Sequence, residues 1–269
     1  MVYVIFPAYN EELVIGPTLR ALAEAVRGHE ADYHAVLVDD GSTDRTIECA
    51  REAIGDAQGL ALTVLRHERN MGLGAGLRTG IYWCLDRGSE SDVIVTLDAD
   101  NTQPPSLIPT LVAGVRAGHD LVIASRYRPG SEVHGVPWYR RLLSDAGRFV
   151  CQVIYPIPGV RDYTCCFRAF GMPILRRARA VYGDDLCTAR GFEAVIDLLL
   201  RLGALDVKAT EVGFVLNYGD RVGQSKMKVL RTIGQTLKLL GRRRLETFLP
   251  AQPRGVGARK RPVTGRRVS

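Results

Sequence analysis

The amino-acid sequence predicts an α/β fold, a mostly parallel twisted sheet flanked by helices, and three observations carry that prediction. Short apolar runs alternate with amphipathic segments through the first 125 residues. Three of those runs end in polar loops, at Pro7-Ala8-Tyr9-Asn10-Glu11-Glu12, at Asp39-Asp40-Gly41-Ser42-Thr43-Asp44 and at Asp98-Ala99-Asp100. Strands of a parallel sheet present such loops at one edge, where ligands bind.

Val2 to Phe6 is β-branched and aromatic and reads as the first strand. Ile15, Leu19, Leu22, Ala23 and Val26 then recur at helical spacing. The next strand is expected at 35–38, followed by a helix over 43–54 with Ser42 or Thr43 as its cap. A strand at 60–65, a helix at 74–85, a strand at 93–97, a helix at 106–117 and a strand at 121–124 continue the alternation. Strand and helix in this order imply right-handed crossovers between parallel strands.

After Ser125 the pattern changes to a Gly- and Arg-rich loop over 126–135 and a helix over 137–155. Leu142, Leu143, Ala146, Phe149, Val150, Val153 and Ile154 form its apolar stripe, with Arg140, Arg141 and Arg148 off it and Trp138 and Tyr139 at its start. Periodicity leaves two readings open: a core-packed helix with snorkelling arginines, or a helix lying at a membrane interface. Gly191-Phe192-Glu193 opens a further helix to Leu202, residues 207–215 read as a late strand, and 226–240 as a basic amphipathic helix. Beyond Pro250 the Gly, Pro and Arg content argues for disorder.

With 269 residues, 46% of them hydrophobic and 24% charged, the chain can bury one substantial core. No apolar stretch reaches the roughly 18 residues of a membrane-spanning helix. The N-terminus has no basic region, apolar stretch and cleavage site in series. A cytoplasmic protein is expected, with its six cysteines, which lack Cys-x-x-Cys pairing, as reduced thiols. Residues 1–220 hold 22 Lys and Arg against 28 Asp and Glu, whereas 221–269 hold 14 against one, so the net charge of +7 belongs to the C-terminus. Such a tail suits anionic lipid headgroups or simple solvation, and the lack of aromatic residues after Phe248 argues against nucleic acid.

Asp98-Ala99-Asp100 follows a β-branched run and precedes Pro104-Pro105, which puts two carboxylates at a strand tip, suited to a hard divalent cation bridging a diphosphate. The loop Arg69 to Gly76 is glycine-rich, but Gly72, Gly74 and Gly76 do not give G-x-G-x-x-G, and it follows the third strand rather than the first. A nicotinamide enzyme is therefore a poor reading.

Taken together, Pro7-x-Tyr9-Asn10-Glu11, Asp39-Asp40-Gly41-Ser42, Asn70-x-Gly72, Asp98-Ala99-Asp100, Ser125-Arg126-Tyr127, Arg140-Arg141-x-x-Ser144, Asp162 to Arg168 and Gly223-Gln224-Ser225-Lys226 resemble the family 2 inverting glycosyltransferases. Within them the nearest likeness is to polyprenyl-phosphate hexose synthases of the dolichol-phosphate mannose synthase type. The resemblance implies a GT-A fold over 1–249, with a nucleotide-sugar-binding half (1–125) and an acceptor-binding half (126–249), ahead of a basic tail (250–269). It implies that Pro7, Tyr9, Glu11, Val38 and Asp40 line the nucleoside pocket, and that Asp98, Ala99 and Asp100 hold the sugar diphosphate with Mg²⁺ or Mn²⁺. Arg126, Arg141 and Ser144 would receive the lipid phosphate, and Arg221 and Lys226 would approach the phosphates from the late loop.

Related enzymes often carry a metal-binding Gln two residues after the second Asp; here that position is Thr102, and Gln103, one further on, is the candidate third ligand. The late loop Arg221-Val222-Gly223 is one residue shorter than the common form. The partners implied are a nucleotide sugar, most often GDP-mannose, a polyprenyl or dolichyl phosphate, a membrane surface on its cytoplasmic face and in some arrangements a membrane subunit. UDP-glucose as donor, a polysaccharide or small-molecule acceptor, or a non-catalytic nucleotide-sugar-binding subunit are the alternatives.

Overall fold

In chain order the first half comprises β1 (Val2–Ala8), α1 (Ile15–Ala25), β2 (Tyr33–Asp39), α2 (Thr46–Gly55), β3 (Ala61–Arg66), α3 (Leu73–Leu85), β4 (Val93–Thr96), α4 (Ile108–Arg116) and β5 (Leu121–Ser125). The second half comprises β6 (Glu132–His134), α5 (Trp138–Ile154), β7 (Arg168–Gly171), α6 (Met172–Tyr182), α7 (Glu193–Gly203), β8 (Ala209–Gly213), β9 (Val215–Asn217), α8 (Val229–Phe248) and β10 (Arg266–Arg267). The structure is a computed structural model and describes residues 1–55, 59–100, 102–136, 138–217, 229–248 and 266–267.

The main sheet has the order β10-β3-β2-β1-β4-β7-β5-β8, and β6 and β9 pair as a separate parallel ribbon. β3, β2, β1 and β4 are mutually parallel, as are β5 and β8, while β7 runs antiparallel between β4 and β5. Val4, Ile5, Phe6, Val36, Leu37 and Val38 are fully buried, which is why these strands read as continuous apolar runs rather than alternating ones. α3 packs on β1 and β2, and α4 on β5 and β7. With β2 and β4 on opposite sides of β1, the chain order reverses about β1, and a crevice opens beyond the strand tips there.

The predicted strands and helices of the first half all form, with shifted ends. α2 begins later than expected because Ser42, Thr43 and Asp44 are spent holding the loop after β1. Five elements depart from expectation. α6 was not predicted. β10 forms in the tail expected to be disordered, because Arg266 and Arg267 find an antiparallel partner in Leu65 and Arg66 at the open edge of β3. β6 lies inside the predicted Gly- and Arg-rich loop. β7 is only four residues long and follows a polar segment, yet Phe167, Ala169 and Phe170 are fully buried and make it a central strand. The expected single late strand is divided: β8 stays with β5, and the chain leaves at Phe214 to pair with β6. A Cβ on Gly213 would sit 2.7 Å from the Pro129 carbonyl oxygen, a close approach that marks the departure point.

Candidate active site

The loops after β1 and β2 are built as one unit. Asn10 takes a left-handed backbone conformation (φ 54°), tolerable for Asn because its short side chain bonds locally. Its Oδ1 accepts from Thr43 N at 2.9 Å, and its own N–H donates to Ser42 Oγ at 2.9 Å. Glu11 N donates to Thr46 Oγ1 at 2.8 Å, Glu12 N to Asp44 Oδ2 at 3.1 Å, and Arg45 N to Glu12 Oε2 at 3.0 Å across the same seam. The Pro7, Tyr9 and Glu11 positions are therefore fixed against β2 by side chains that are poor helix formers and good loop builders.

Asp40 ties the third loop into this unit. Its Oδ1 accepts from Met71 N at 2.8 Å and from His67 Nδ1 at 2.7 Å, and its Oδ2 accepts from Gly72 N at 2.7 Å. His67 Nε2 meets Thr79 Oγ1 of α3 at 2.9 Å, so the buried imidazole joins the strand tip to the helix. Gly72 (φ 94°) lies where a Cβ would fall 2.3 Å from the Arg190 carbonyl oxygen, so only glycine fits.

The acidic triplet lies between these loops and the second half. Gln103 Nε2 donates to Asp98 Oδ2 at 2.6 Å, and Asp98 N donates to Gln103 Oε1 at 3.1 Å. Asp100 Oδ1 accepts from Thr102 Oγ1 at 2.7 Å and Thr102 N at 3.2 Å. The Ala99 side chain is buried, and its carbonyl faces Thr18 Oγ1 at 3.5 Å. Gln103, the candidate third metal ligand, thus has both ends of its amide on Asp98.

Across the cleft, Arg126 is gripped by a residue to which the sequence reading gave no role. Its Nε donates to Asp162 Oδ2 and its Nη2 to Asp162 Oδ1, both at 2.8 Å, with a further bond to Thr164 Oγ1. Burial by itself would raise the Asp162 carboxyl; the charge and hydrogen bonds of Arg126 outweigh it and hold the group below the usual carboxylate range. Glu211 Oε1 in turn accepts from Arg161 N and Asp162 N at 2.6 Å each, and Arg128 closes on Glu211 Oε2 at 2.9 Å. Tyr127 OH meets Ser144 Oγ at 3.1 Å, and the Arg148 guanidinium lies 4.4 Å over the Tyr127 ring. Arg126, expected as an acceptor-phosphate residue, therefore reaches the cleft already paired.

These groups enclose a cleft of about 520 Å³. Pro7, Tyr9, Glu11, Asp40, Asp98, Ala99, Asp100, Gln103, Arg126 and Ser144, all expected site residues, line it. Val38 does not. It is fully buried in β2 and packs toward Gly80 of α3, where an added Cβ would come within 3.1 Å of it. Arg141 lies in α5 with its side chain outside those described, and Arg221 and Lys226 lie outside the described residues. Asp162, Thr164, Cys165 and Cys166, all inside the Asp162 to Arg168 segment that carries the family resemblance, and Phe192, expected only as part of a helix start, had no site role assigned. Yet the last four line the cleft, and Asp162 holds Arg126.

A second, mainly apolar groove of about 370 Å³ opens from the Arg126 end of the cleft and runs between α5, α7 and α8. Leu143 and Val150 of α5, Ile196 of α7, and Ile233, Leu237 and Leu240 of α8 form its walls. α8 is fastened to α7 by Arg243, whose Nε and Nη2 donate to the buried Asp197 Oδ1 at 2.8 and 2.6 Å.

Residues 3–178 match the Glycosyl transferase family 2 profile. A polyprenol monophosphomannose synthase of Mycolicibacterium smegmatis is 32% identical over 230 residues, 83% of this chain and 80% of that protein. An undecaprenyl-phosphate mannosyltransferase of Micrococcus luteus is 32% identical over 227 residues, 84% of this chain and 87% of that protein. A dolichol-phosphate mannosyltransferase of Pyrococcus furiosus is also 32% identical, over 84% of this chain, but the chain spans only 59% of its length. Glucosyl-3-phosphoglycerate synthase from Mycobacterium tuberculosis, solved with Mn²⁺, UDP-glucose and phosphoglyceric acid, superposes with a TM-score of 0.64 at 18% identity, covering 91% of this chain and 79% of that one. That likeness is one of fold, and the fold is the expected GT-A type.

Proposed function

Because this chain belongs to glycosyl transferase family 2, we propose that it transfers a hexose, mannose from GDP-mannose, to a polyprenyl phosphate with inversion, giving a β-linked lipid-phosphate sugar and a nucleoside diphosphate. The observation that carries this reading is the continuity of two cavities of opposite character. A polar cleft with Asp98 and Asp100 at one end leads past Arg126, Ser144 and Thr164 into an apolar groove. An acceptor with an anionic head and a hydrocarbon tail matches that sequence of surfaces, and a small polar acceptor leaves the groove unused.

Asp98 and Asp100 would hold a divalent cation. Among the described residues no cluster of three or more His, Cys, Asp or Glu is placed to hold a metal. A pair of carboxylates without a full protein cage suits Mg²⁺ or Mn²⁺, ions that keep waters and accept phosphate oxygens from the substrate. Bound there, such a cation supplies charge against the leaving diphosphate.

The chain's own residues bring the two substrates into line. The Pro7, Tyr9, Glu11 and Asp40 side of the cleft takes the nucleoside, and the Arg126, Ser144 and Thr164 end takes the acceptor phosphate. An acceptor phosphate oxygen attacks the anomeric carbon on the face opposite the diphosphate; the new carbon–oxygen bond forms as the bond to the diphosphate breaks. A phosphate is already ionised near neutral pH, so no general base is required at the Arg126 end. Pairing with Asp162 keeps the Arg126 guanidinium at one orientation, which favours a preorganised anion site.

No helix among the described residues is long and apolar enough to cross a membrane. The proposed mode of action is peripheral, on the cytoplasmic face of a membrane, with α5 and the basic C-terminus against the lipid. The test incubates the protein with labelled GDP-mannose or UDP-glucose, Mg²⁺ and undecaprenyl phosphate. Lipid-extractable label from GDP-mannose is expected; label that stays water-soluble with every donor rules out the lipid-phosphate reading.

A further inference from the structure

We infer that Phe192 is a positioning residue that partitions the donor cleft from the apolar groove and keeps water from replacing the acceptor. This rests on the lipid-phosphate reading above. Four described residues line both cavities: Arg126, Ser144, Thr164 and Phe192. The first three carry hydrogen-bonding groups suited to a phosphate, and Phe192 alone is apolar.

The position is an unusual one for a phenylalanine. It is the N-cap of α7, where Ser, Thr, Asp or Asn would bond a free backbone N–H, and here no side-chain cap bond is made. Its backbone is nonetheless fixed on both sides. Val195 N and Ala194 N donate to the Phe192 and Gly191 carbonyls at 3.3 and 3.0 Å, and Gly191 N donates to Glu193 Oε1 at 3.2 Å. Just upstream, Leu73 N donates to the Arg190 carbonyl at 2.8 Å, and Arg190 Nη2 reaches the Asn70 carbonyl at 3.3 Å. A Cβ on Gly74 would meet the Ala189 carbonyl oxygen at 2.0 Å, so the two loops lie in direct contact. The same Asn70 to Gly74 loop is held by Asp40 at the nucleoside side. Phe192 is thus an apolar side chain on a backbone braced against the donor loop, set at the seam where acceptor chemistry begins.

Transfer and hydrolysis share one bond-breaking event, loss of the diphosphate from the anomeric carbon. In transfer the new bond goes to an acceptor phosphate oxygen; in hydrolysis it goes to a water oxygen, which releases its proton to solvent and leaves free sugar. A ring at the seam packs against the first carbons of the acceptor chain and displaces the water that would otherwise compete.

The test measures free mannose and lipid-linked mannose from labelled GDP-mannose, with and without undecaprenyl phosphate, for the wild type, Phe192→Ala and Phe192→Tyr. Phe192→Ala is expected to raise the ratio of free to lipid-linked mannose about tenfold and to raise free-mannose release without lipid, while Phe192→Tyr stays close to the wild type. An unchanged ratio in Phe192→Ala overturns the inference. So does a parallel loss of both products in Phe192→Ala and Phe192→Tyr, which is the signature of a merely structural role. If the wild type makes no lipid-linked mannose, the lipid-phosphate reading falls by itself, and the lipid-free hydrolysis rates still decide for or against the partition.

Discussion

Gln103 and Asp98 bracket each other: the Gln103 amide nitrogen donates to the Asp98 carboxylate at 2.6 Å while its oxygen accepts the Asp98 backbone N–H at 3.1 Å. This closed pair sets which carboxylate lone pairs face the cleft, so Gln103 should act on metal affinity without itself being a ligand. Gln103→Ala is expected to raise the Mn²⁺ concentration for half-maximal activity by about tenfold or more, the usual effect of losing an outer partner. Maximal rate at saturating Mn²⁺ should fall much less, whereas Asp100→Asn should abolish transfer at any Mn²⁺ concentration. A Mn²⁺ titration of activity separates these outcomes, and an unmoved midpoint for Gln103→Ala would remove its orienting role.

Asp162 is fully buried, and Arg126 is its bidentate partner. Replacing it with Asn leaves a guanidinium with its compensating charge gone, which costs about 3 kcal/mol or more of stability near neutral pH. The carboxyl's folded pKa is depressed, so its stabilisation is complete above the unfolded value of about 4 and is lost as pH falls from there through the lower folded value. Thermal melts of wild type and Asp162→Asn should therefore differ most above pH 5 and converge on acidification. A gap that widens toward acid would show that the pair does not behave as an ion pair.

Cys165 and Cys166 line the cleft, but burial pushes the Cys165 thiol up to about 12 and Cys166 well above its ordinary value. Both therefore stay protonated through the neutral and mildly alkaline range, where the protonated form is a poor nucleophile. In the native protein at pH 8, iodoacetamide should modify the half-buried Cys49 well before either cleft cysteine. Peptide mapping after a short exposure reads this directly; early labelling of Cys165 or Cys166 would mean that the cleft floor opens to solvent.

The parts of the site that the sequence made legible are those written locally. Asp98 and Asp100 follow a β-branched strand at once, and the Asn10 and Ser42 loops carry their turn chemistry within a few residues of strands β1 and β2. What stayed hidden depends on partners far apart in the chain. Asp162 lies 36 residues beyond the Arg126 it neutralises, and no periodicity links them. Val38 was expected in the nucleoside pocket with its neighbour Asp40, yet its side chain turns to the α3 side, where Gly80 makes room for it. β7 is too short and too mixed to declare itself; it is a central strand because β4 and β5 flank it on either side. Phe192 reads as the start of a helix, and only the meeting of two cavities gives it a role.

α5, which periodicity left open between a core-packed and an interfacial helix, is apolar on more than one side. Leu143, Val150 and Cys151 face the groove, while Trp138, Leu142, Phe149 and Val153 stand 62% to 76% exposed. At 100° per residue the four exposed positions fall within one narrow arc, so they form a continuous stripe and not scattered surface residues. Moving a large apolar side chain from water into a bilayer interface contributes about 1.5 to 3 kcal/mol if burial is complete. The double variant Trp138→Ser and Phe149→Ser should then lower vesicle partitioning at least about tenfold, with secondary structure unchanged by circular dichroism. Replacing Arg254, Arg259, Lys260 and Arg261 by Ser, which leaves β10 in place, should instead weaken binding to anionic vesicles alone, and that loss should shrink as salt is added, because it acts through charge. Co-sedimentation with neutral and anionic vesicles at two salt concentrations distinguishes the contributions. Full binding by the double variant would leave the stripe without a role at the membrane and shift the whole of the attachment to the basic C-terminus.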